Sequence, residues 1–231
     1  LAISTELAQQ MGGGIEALER RTLETKRFGA AGRAVRPAAG APPWEALALG
    51  ALHEIVGGTG DGAPSGFAAA VLANTAPDRQ VLWCRLAADG GESGTPYGPG
   101  LLRFGLDPGR LIVVEARRPK ELLWAMEEGL RCPALAATVG DLPSPADPTA
   151  GRRLQLAAEK GGGMGLLLCA RGKAVAAATR WRVAAAPAGA DDGRPAFDAA
   201  LLRARNGDRG RWRLEWDDAA LRFHMAALLA D

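Results

Sequence analysis

Apolar residues in this chain gather in short runs: Leu52 to Val56 (LHEIV), Arg79 to Cys84 (RQVLWC), Leu111 to Ala116 (LIVVEA), Ala134 to Val139 (ALAATV) and Met164 to Ala170 (MGLLLCA). Each has the length of a strand, and runs without strict polar alternation suit strands buried on both faces. Between them lie segments of helical character. An alanine-rich stretch follows Gly66, and PKELLWAMEEGL (Pro119 to Leu130) is amphipathic and opens on a proline, which the first turn tolerates. GRRLQLAAEK follows a cap at Asp147 or Thr149 and stops at Gly161, Gly162 and Gly163. Strands alternating with helices at this spacing predict crossover units, hence an α/β fold with a mostly parallel sheet flanked by helices.

Beyond Lys173 the pattern changes. Thr179 to Ala185 (TRWRVAA) alternates like a half-exposed strand, and residues 187 to 195 form a Pro/Gly/Asp loop. Leu201 to Arg205 and Arg211 to Trp216 alternate on either side of Asn206-Gly207, which predicts an antiparallel hairpin at the sheet edge. The last segment, ALRFHMAALLA, fits a strand or a helix. At the other end, STELAQQ and IEALERRTLETKRF are helical pieces broken by Gly12, Gly13 and Gly14, and Gly29 to Pro43 reads as a linker. The expected division is a helical arm and linker over residues 1–43 and one core domain with its hairpin over 44–231. Ala87 to Pro99, rich in glycine and proline, is expected to be a mobile loop.

Composition narrows the picture in a few respects. With 231 residues the chain can bury one sizeable core, and with only 5% aromatics that core is expected to be Leu, Val and Ala. The net charge is +2, but arginine far outnumbers lysine, whose copies are Lys26, Lys120, Lys160 and Lys173. Cys84, Cys132 and Cys169 are odd in number and widely spaced, and the histidines are His53 and His224. No disulfide framework or zinc site is expected, and a reducing cytoplasm fits. No apolar run approaches the ~20 residues that span a bilayer, so no membrane role is expected.

The first strand runs into Gly57 to Gly66, the position of a phosphate loop between strand and helix. In the pattern GxxxxGK[ST], backbone amides cradle the phosphates, the lysine neutralises them and the hydroxyl holds magnesium. Gly57 and Gly62 have the spacing of the two glycines, with Gly58 and Gly60 between them, but the next residues are Ala63 and Pro64. The lysine and the hydroxyl are both missing, proline brings no N–H, and between Lys26 and Lys120 there is no lysine. After the second strand stand Cys84 and Arg85, neither a base of the kind that orients water. These features argue against hydrolysis and against a bound cofactor.

The order of pieces resembles the RecA recombinase core: a strand at His53-Glu54-Ile55, a glycine loop, RLIVVEARRPKELLWAMEEGL, a strand ending in Gly140-Asp141, then GRRLQLAAEKGGGMGLLLC. Within that superfamily the chain is most similar to the ImuA family of bacterial mutagenesis accessory proteins. Residues GALHE (Gly50 to Glu54), the lysine-free turn and RARNGDRGRWRLEW (Arg203 to Trp216) carry the resemblance, which covers roughly residues 45 to 225. It implies an accessory role in damage-induced, error-prone DNA synthesis. The partners it implies are the inactive Y-family polymerase homologue ImuB and a DnaE-type error-prone polymerase, with RecA and single-stranded DNA as further candidates. The alternatives are a RecA-class ATPase using a lysine-free loop with an arginine from elsewhere, and a stand-alone single-stranded DNA-binding module.

Among individual residues, the hairpin is the foremost candidate. Arg203 and Arg205 on one strand, Arg211 and Arg213 on the other, and Arg209 near the tip form a concentrated cationic surface. Trp212 and Trp216 lie on the same strand and serve either as core or as stacking residues for DNA; an acidic partner is equally suited, and so is a solvated edge. Asp141 reads as a turn or helix cap in preference to a leftover metal ligand. Glu115 pairs with Arg117 or Arg118 or faces a ligand. His53 and Glu54 are explained by packing or hydrogen bonding.

Overall fold

A computed structural model describes residues 43–58, 60–75, 78–87, 95–170, 176–188, 193–204 and 209–229. The expected N-terminal helical pieces and linker lie outside the described residues, apart from Pro43. The described chain runs β1 (Leu52–Val56), α1 (Ala63–Ala73), β2 (Gln80–Leu86), α2 (Gly98–Arg103), β3 (Leu111–Ala116), α3 (Pro119–Arg131) and β4 (Leu135–Leu142). It continues through α4 (Pro148–Gly161), β5 (Met164–Cys169), β6 (Thr179–Ala186), β7 (Ala196–Ala204), β8 (Gly210–Asp217) and β9 (Arg222–Leu229). Short 3-10 turns cover Pro43–Ala46 and Pro108–Arg110.

One sheet holds the nine strands in the order β3-β2-β4-β5-β1-β6-β7-β8-β9. Pairing is parallel from β3 across to β6 and antiparallel from β6 to β9. The α/β fold with an antiparallel C-terminal extension is therefore as the sequence indicates. β1 is central and buried at every position. β3, by contrast, is an edge, and its Ile112 and Val113 are exposed.

Several boundaries move, each for a local reason. Asp147 caps α4 by accepting a hydrogen bond from the Ala150 amide at 2.9 Å, and the helix ends at Gly162, whose φ of 77° is left-handed. β4 does not stop at Gly140 but runs on through Asp141 to Leu142, because β5 continues alongside it to Cys169. Asp141 thus lies within the strand and not at its end. The end of the expected Ala87–Pro99 loop is helical, since Gly98 and Pro99 open α2. β7 begins five residues before Leu201 because Ala196 to Ala200 pair with β6 and β8. The undecided C-terminal segment is a strand, fixed by its ladder to β8.

Helices cover the two faces unequally. On one face α1 packs so deeply that Phe67, Ala68, Ala69, Ala70 and Leu72 are wholly buried, in a core that extends across β6 to β9. On the other face α3 and α4 pack on β1 to β5, over Leu52, Leu82, Cys84 and Leu167. The expectation of an aliphatic core holds for that second layer. Under the antiparallel strands the core is aromatic, because few aromatics are concentrated in one place. Phe67 lies 5.4 Å from Phe223 and 6.0 Å from Trp181, and Trp216 lies 5.1 Å from Phe223, ring centre to ring centre.

Trp216 is wholly buried and donates its indole N–H to the Arg103 carbonyl at 2.8 Å. It is a keystone of that core. Replacing it with alanine is expected to lower the unfolding free energy by about 3–5 kcal/mol in urea titrations, whereas Arg182→Ala on the opposite, exposed face shifts it by less than about 0.5 kcal/mol. Equal effects of the two changes would contradict this packing.

Candidate functional sites

The glycine turn follows β1 directly and is held by hydrogen bonds within the chain. The Gly57 amide donates to the Cys169 carbonyl at 3.3 Å, the Asp61 amide donates to the Gly58 carbonyl at 3.2 Å, and α1 then opens at Ala63. Asp61 folds back so that its Oδ1 accepts the Ala63 N–H at 2.8 Å. That amide is one of the helix-start donors that would face an anion. Pro64 has no N–H to offer, and its ring lies over Gly57, where an added Cβ would come within 2.3 Å of Pro64 Cγ. Glycine at 57 is thereby required by the proline. Gly60 takes a left-handed φ of 74°, while a Cβ at Gly62 would meet nothing within 4 Å. Gly58, Gly60 and Gly62 are exposed. The start of α1 is thus supplied with a carboxylate by the chain itself.

Beside the loop, β1 carries two buried polar side chains. Glu54 pairs with Arg180 at 3.1 Å and accepts a weak hydrogen bond from the Cys169 thiol at 3.4 Å. Burial, with the Glu54 carboxylate beside it, holds the Cys169 thiol well above the ordinary cysteine range. Burial likewise pushes Cys84 up to about 12. Both remain thiols at neutral pH and are inert as nucleophiles. Among the described residues no three His, Cys, Asp or Glu side chains are grouped to hold a metal ion. Glu115 pairs with neither Arg117 nor Arg118. Its partner is Arg85, its neighbour across the β2–β3 ladder, at 2.6 Å, while Arg118 pairs with Glu121.

His53 is wholly buried and fully engaged. Its Nε2 lies 2.9 Å from the Ala48 carbonyl, which can only accept, so Nε2 carries the proton. Nδ1, at 2.8 Å, then accepts from the Thr179 hydroxyl, whose oxygen accepts the Trp181 indole N–H at 3.1 Å. Every member is satisfied with the ring neutral. Burial lowers the His53 pKa from its usual 6.5 to about 4.

The arginine-rich surface lies on the antiparallel strands. Across the ladders Arg180 stands opposite Arg203, Arg182 opposite Ala200, Ala200 opposite Arg211, and Asp198 opposite Arg213. These residues share the face away from α1. Arg203 reaches it through a register shift that leaves Leu202 without a partner between Leu201 and Arg203, an extra residue that re-aims the strand. Arg203, Arg209 and Arg211 are exposed, and Arg205 lies outside the described residues. Arg213 is half-buried and bound to Asp198 by two hydrogen bonds, 2.6 and 3.3 Å long. The tryptophans do not join them. Trp212 packs on Trp181 at 5.9 Å through the opposite face, and Trp216 is core, so neither lies beside the arginines.

Two arginines on this face were not revealed by the hairpin alone, the exposed Arg182 and the largely buried Arg180 held by Glu54. Arg180 and Arg182 on β6 extend it inward, and the alternation in TRWRVAA was the signal, since it puts both on one side of a strand. Among the described residues no helix is long and apolar enough to cross a membrane.

No protein-family profile matches the chain. Two curated relatives are both called Protein ImuA, from Caulobacter vibrioides strains NA1000/CB15N and ATCC 19089/CIP 103742/CB 15. Each is 37% identical to it over an alignment of 217 residues that covers 82% of this chain and 85% of the relative.

The buried ring makes stability depend on pH. Because the folded pKa lies below the unfolded one, His53 contributes fully above about pH 6.5, and that contribution is lost as pH falls toward about 4. Between pH 7 and pH 5 the wild-type chain is expected to lose on the order of 2 kcal/mol of unfolding free energy that His53→Gln does not lose. Parallel pH slopes in chemical denaturation would count against the network.

Proposed function

Since the chain belongs to the ImuA family, we propose that it is a non-catalytic accessory protein of damage-induced, error-prone DNA synthesis, with a RecA-like core that makes contacts and does not turn over nucleotide. Its partners on this reading are an ImuB-like polymerase homologue and a DnaE-type polymerase, and it works in the cytoplasm. The contacts run through the arginine face and not through the glycine loop.

The state of the loop carries the reading. A helix start attracts phosphate by its free amides and its positive dipole end. Here Asp61 accepts the Ala63 amide, Pro64 contributes none, and the two positions that would hold a lysine and a hydroxyl are Ala63 and Pro64, both buried. A triphosphate entering would meet a carboxylate instead of a cation. At a separation of ~4 Å and an effective dielectric near 20, one such like-charge contact opposes binding by about 4 kcal/mol. Neither Ala63 nor Pro64 carries a positive charge to spread over a transferring group.

The test uses a fluorescent ATP analogue with magnesium, together with a phosphate-release assay. No saturable binding and no release above buffer are expected. Saturable binding with turnover that Gly62→Val abolishes would overturn the proposal. The variant is well suited to this because a side chain at 62 has room in the folded loop.

A further inference from the structure

Of the six tryptophans, five are engaged in packing. Trp44 packs on Phe223, Trp181 on Phe67 and Trp212, Trp216 on Phe104 and Phe223, and Trp83 is buried. Trp124 on α3 differs from them. It is 63% exposed, and among the described residues its ring meets no other ring and its indole N–H has no acceptor.

α3 and α4 each return across the sheet between parallel strands, so they run side by side in one direction, tied by the Glu127–Arg153 ion pair. Between their first turns lies a groove of about 820 Å³ whose lining includes Lys120, Leu123, Trp124, Ala150 and Leu154. Lys120 and Trp124 are one turn apart and share the outer side of α3. Arg152, Leu156 and Lys160 have the same spacing on α4, where Leu156 is 46% exposed.

The charges beside these apolar residues are not balanced within the chain. Residues 117–131 and 147–161 carry seven basic and five acidic side chains. Each of the five is engaged: Glu121 by Arg118, Glu127 by Arg131 and Arg153, Glu128 by Arg131, Glu159 by Gln155, and Asp147 by the Ala150 amide. Lys120, Arg152 and Lys160 are exposed and, among the described residues, have no carboxylate within ion-pair distance. An unpaired cation therefore stands one turn before Trp124 and one turn to either side of Leu156.

That pattern selects among occupants. A second copy would bring the same unpaired cations against one another. The chain's own Ile15 to Phe28 has the wrong sign, with four basic and three acidic side chains. A nucleic-acid strand in the groove would pass Glu121, Glu127 and Asp147, which line it. An added strand would find no open backbone donors or acceptors along the middle of a helix. A third helix, by contrast, nests between two at ~8–10 Å between axes, and tryptophan is among the residue types most enriched in binding hot spots. Resting on the accessory reading above, we infer that α3 and α4 form a docking site for an acidic amphipathic helix of a partner protein. Its apolar side lies on Trp124 and Leu156, and its carboxylates meet Lys120, Arg152 and Lys160.

Fluorescence anisotropy on the full chain tests this with two fluorescein-labelled helical peptides as long as α4, 14 residues. One has leucines along one side flanked by glutamates, and the other has lysines in place of the glutamates. The acidic peptide is expected to bind saturably and the basic one not. Trp124→Ala weakens that binding at least tenfold, while Leu102→Ala, which removes a comparably exposed apolar side chain on α2, leaves it unchanged. Lys120→Glu with Arg152→Glu turns the preference toward the basic peptide. With fluorotryptophan incorporated, the acidic peptide moves the fluorine resonance that Trp124→Phe removes and leaves those of the buried Trp83, Trp181 and Trp216 in place, a readout that needs no charge reversal to fold. Absent acidic-peptide binding, equal losses in the Trp124 and Leu102 variants, or an unmoved Trp124 resonance overturns the inference. So does labelled oligo(dT) that binds more tightly and is lost with Trp124→Ala, which would make nucleic acid the ligand. All arms omit nucleotide, so a failed docking site leaves the non-catalytic reading to be decided by the ATP titration.

Discussion

The central strand must cross the middle of the molecule carrying two polar side chains, and the rest of the architecture answers that demand. His53 and Glu54 are both inaccessible to solvent. An unpartnered buried ion costs several kcal/mol, and an unpartnered buried imidazole costs a hydrogen bond in a medium without water. Their partners, Thr179 and Arg180, are neighbours on β6, opposite them in the ladder. This polar seam lies at the boundary where parallel pairing gives way to antiparallel. It fixes the register there, because a one-residue slip would turn Arg180 toward the aromatic core and leave Glu54 alone. The hairpin's position, and with it the arginine face, follows from the same seam, since β7 and β8 are laid against β6.

A comparable economy governs the loop. Pro64 suits the first turn of a helix, where its missing N–H breaks no bond, and its ring fills the space above Gly57. A helix start still has donors to satisfy, and Asp61 is near enough to satisfy one without a ligand. The Asp61 carboxylate and the Pro64 ring both steady this segment from within the chain. An anion at this helix start would compete with Asp61 for the same amide.

Much of this was legible in the sequence because it depends on local chemistry. Strand runs, the proline-led helix, the Asp147 cap and the incomplete GxxxxGK[ST] pattern all involve residues within a few positions of one another. What escaped depends on neighbours remote in the chain. Asp141 reads locally as a cap beside Gly140, yet β5 extends the ladder past it. Glu115 has arginines on its C-terminal side but lies opposite Arg85. Trp212 could serve either side of its strand, and only the packing of Trp181 decides which. The C-terminal strand has no local preference and takes its form from β8. The arginine surface was found in part, through the hairpin, and its inner half on β6 became visible only when the strand order placed β6 beside β7.

The uneven covering of the sheet links these points to function. α3 and α4 lie over the parallel strands on one face, where buried aliphatic side chains demand shelter from water. The antiparallel strands turn their aromatics to the opposite face and keep arginine, aspartate and glutamate on this one. Such a face is stable without a cover, so no helix is needed to make the fold. A strand row of charged side chains also resists pairing of sheets face to face, and this alone would account for a scatter of mixed charge. The charges on it are matched within the chain, for Asp198 holds Arg213 and Asp217 takes Arg194 and His224.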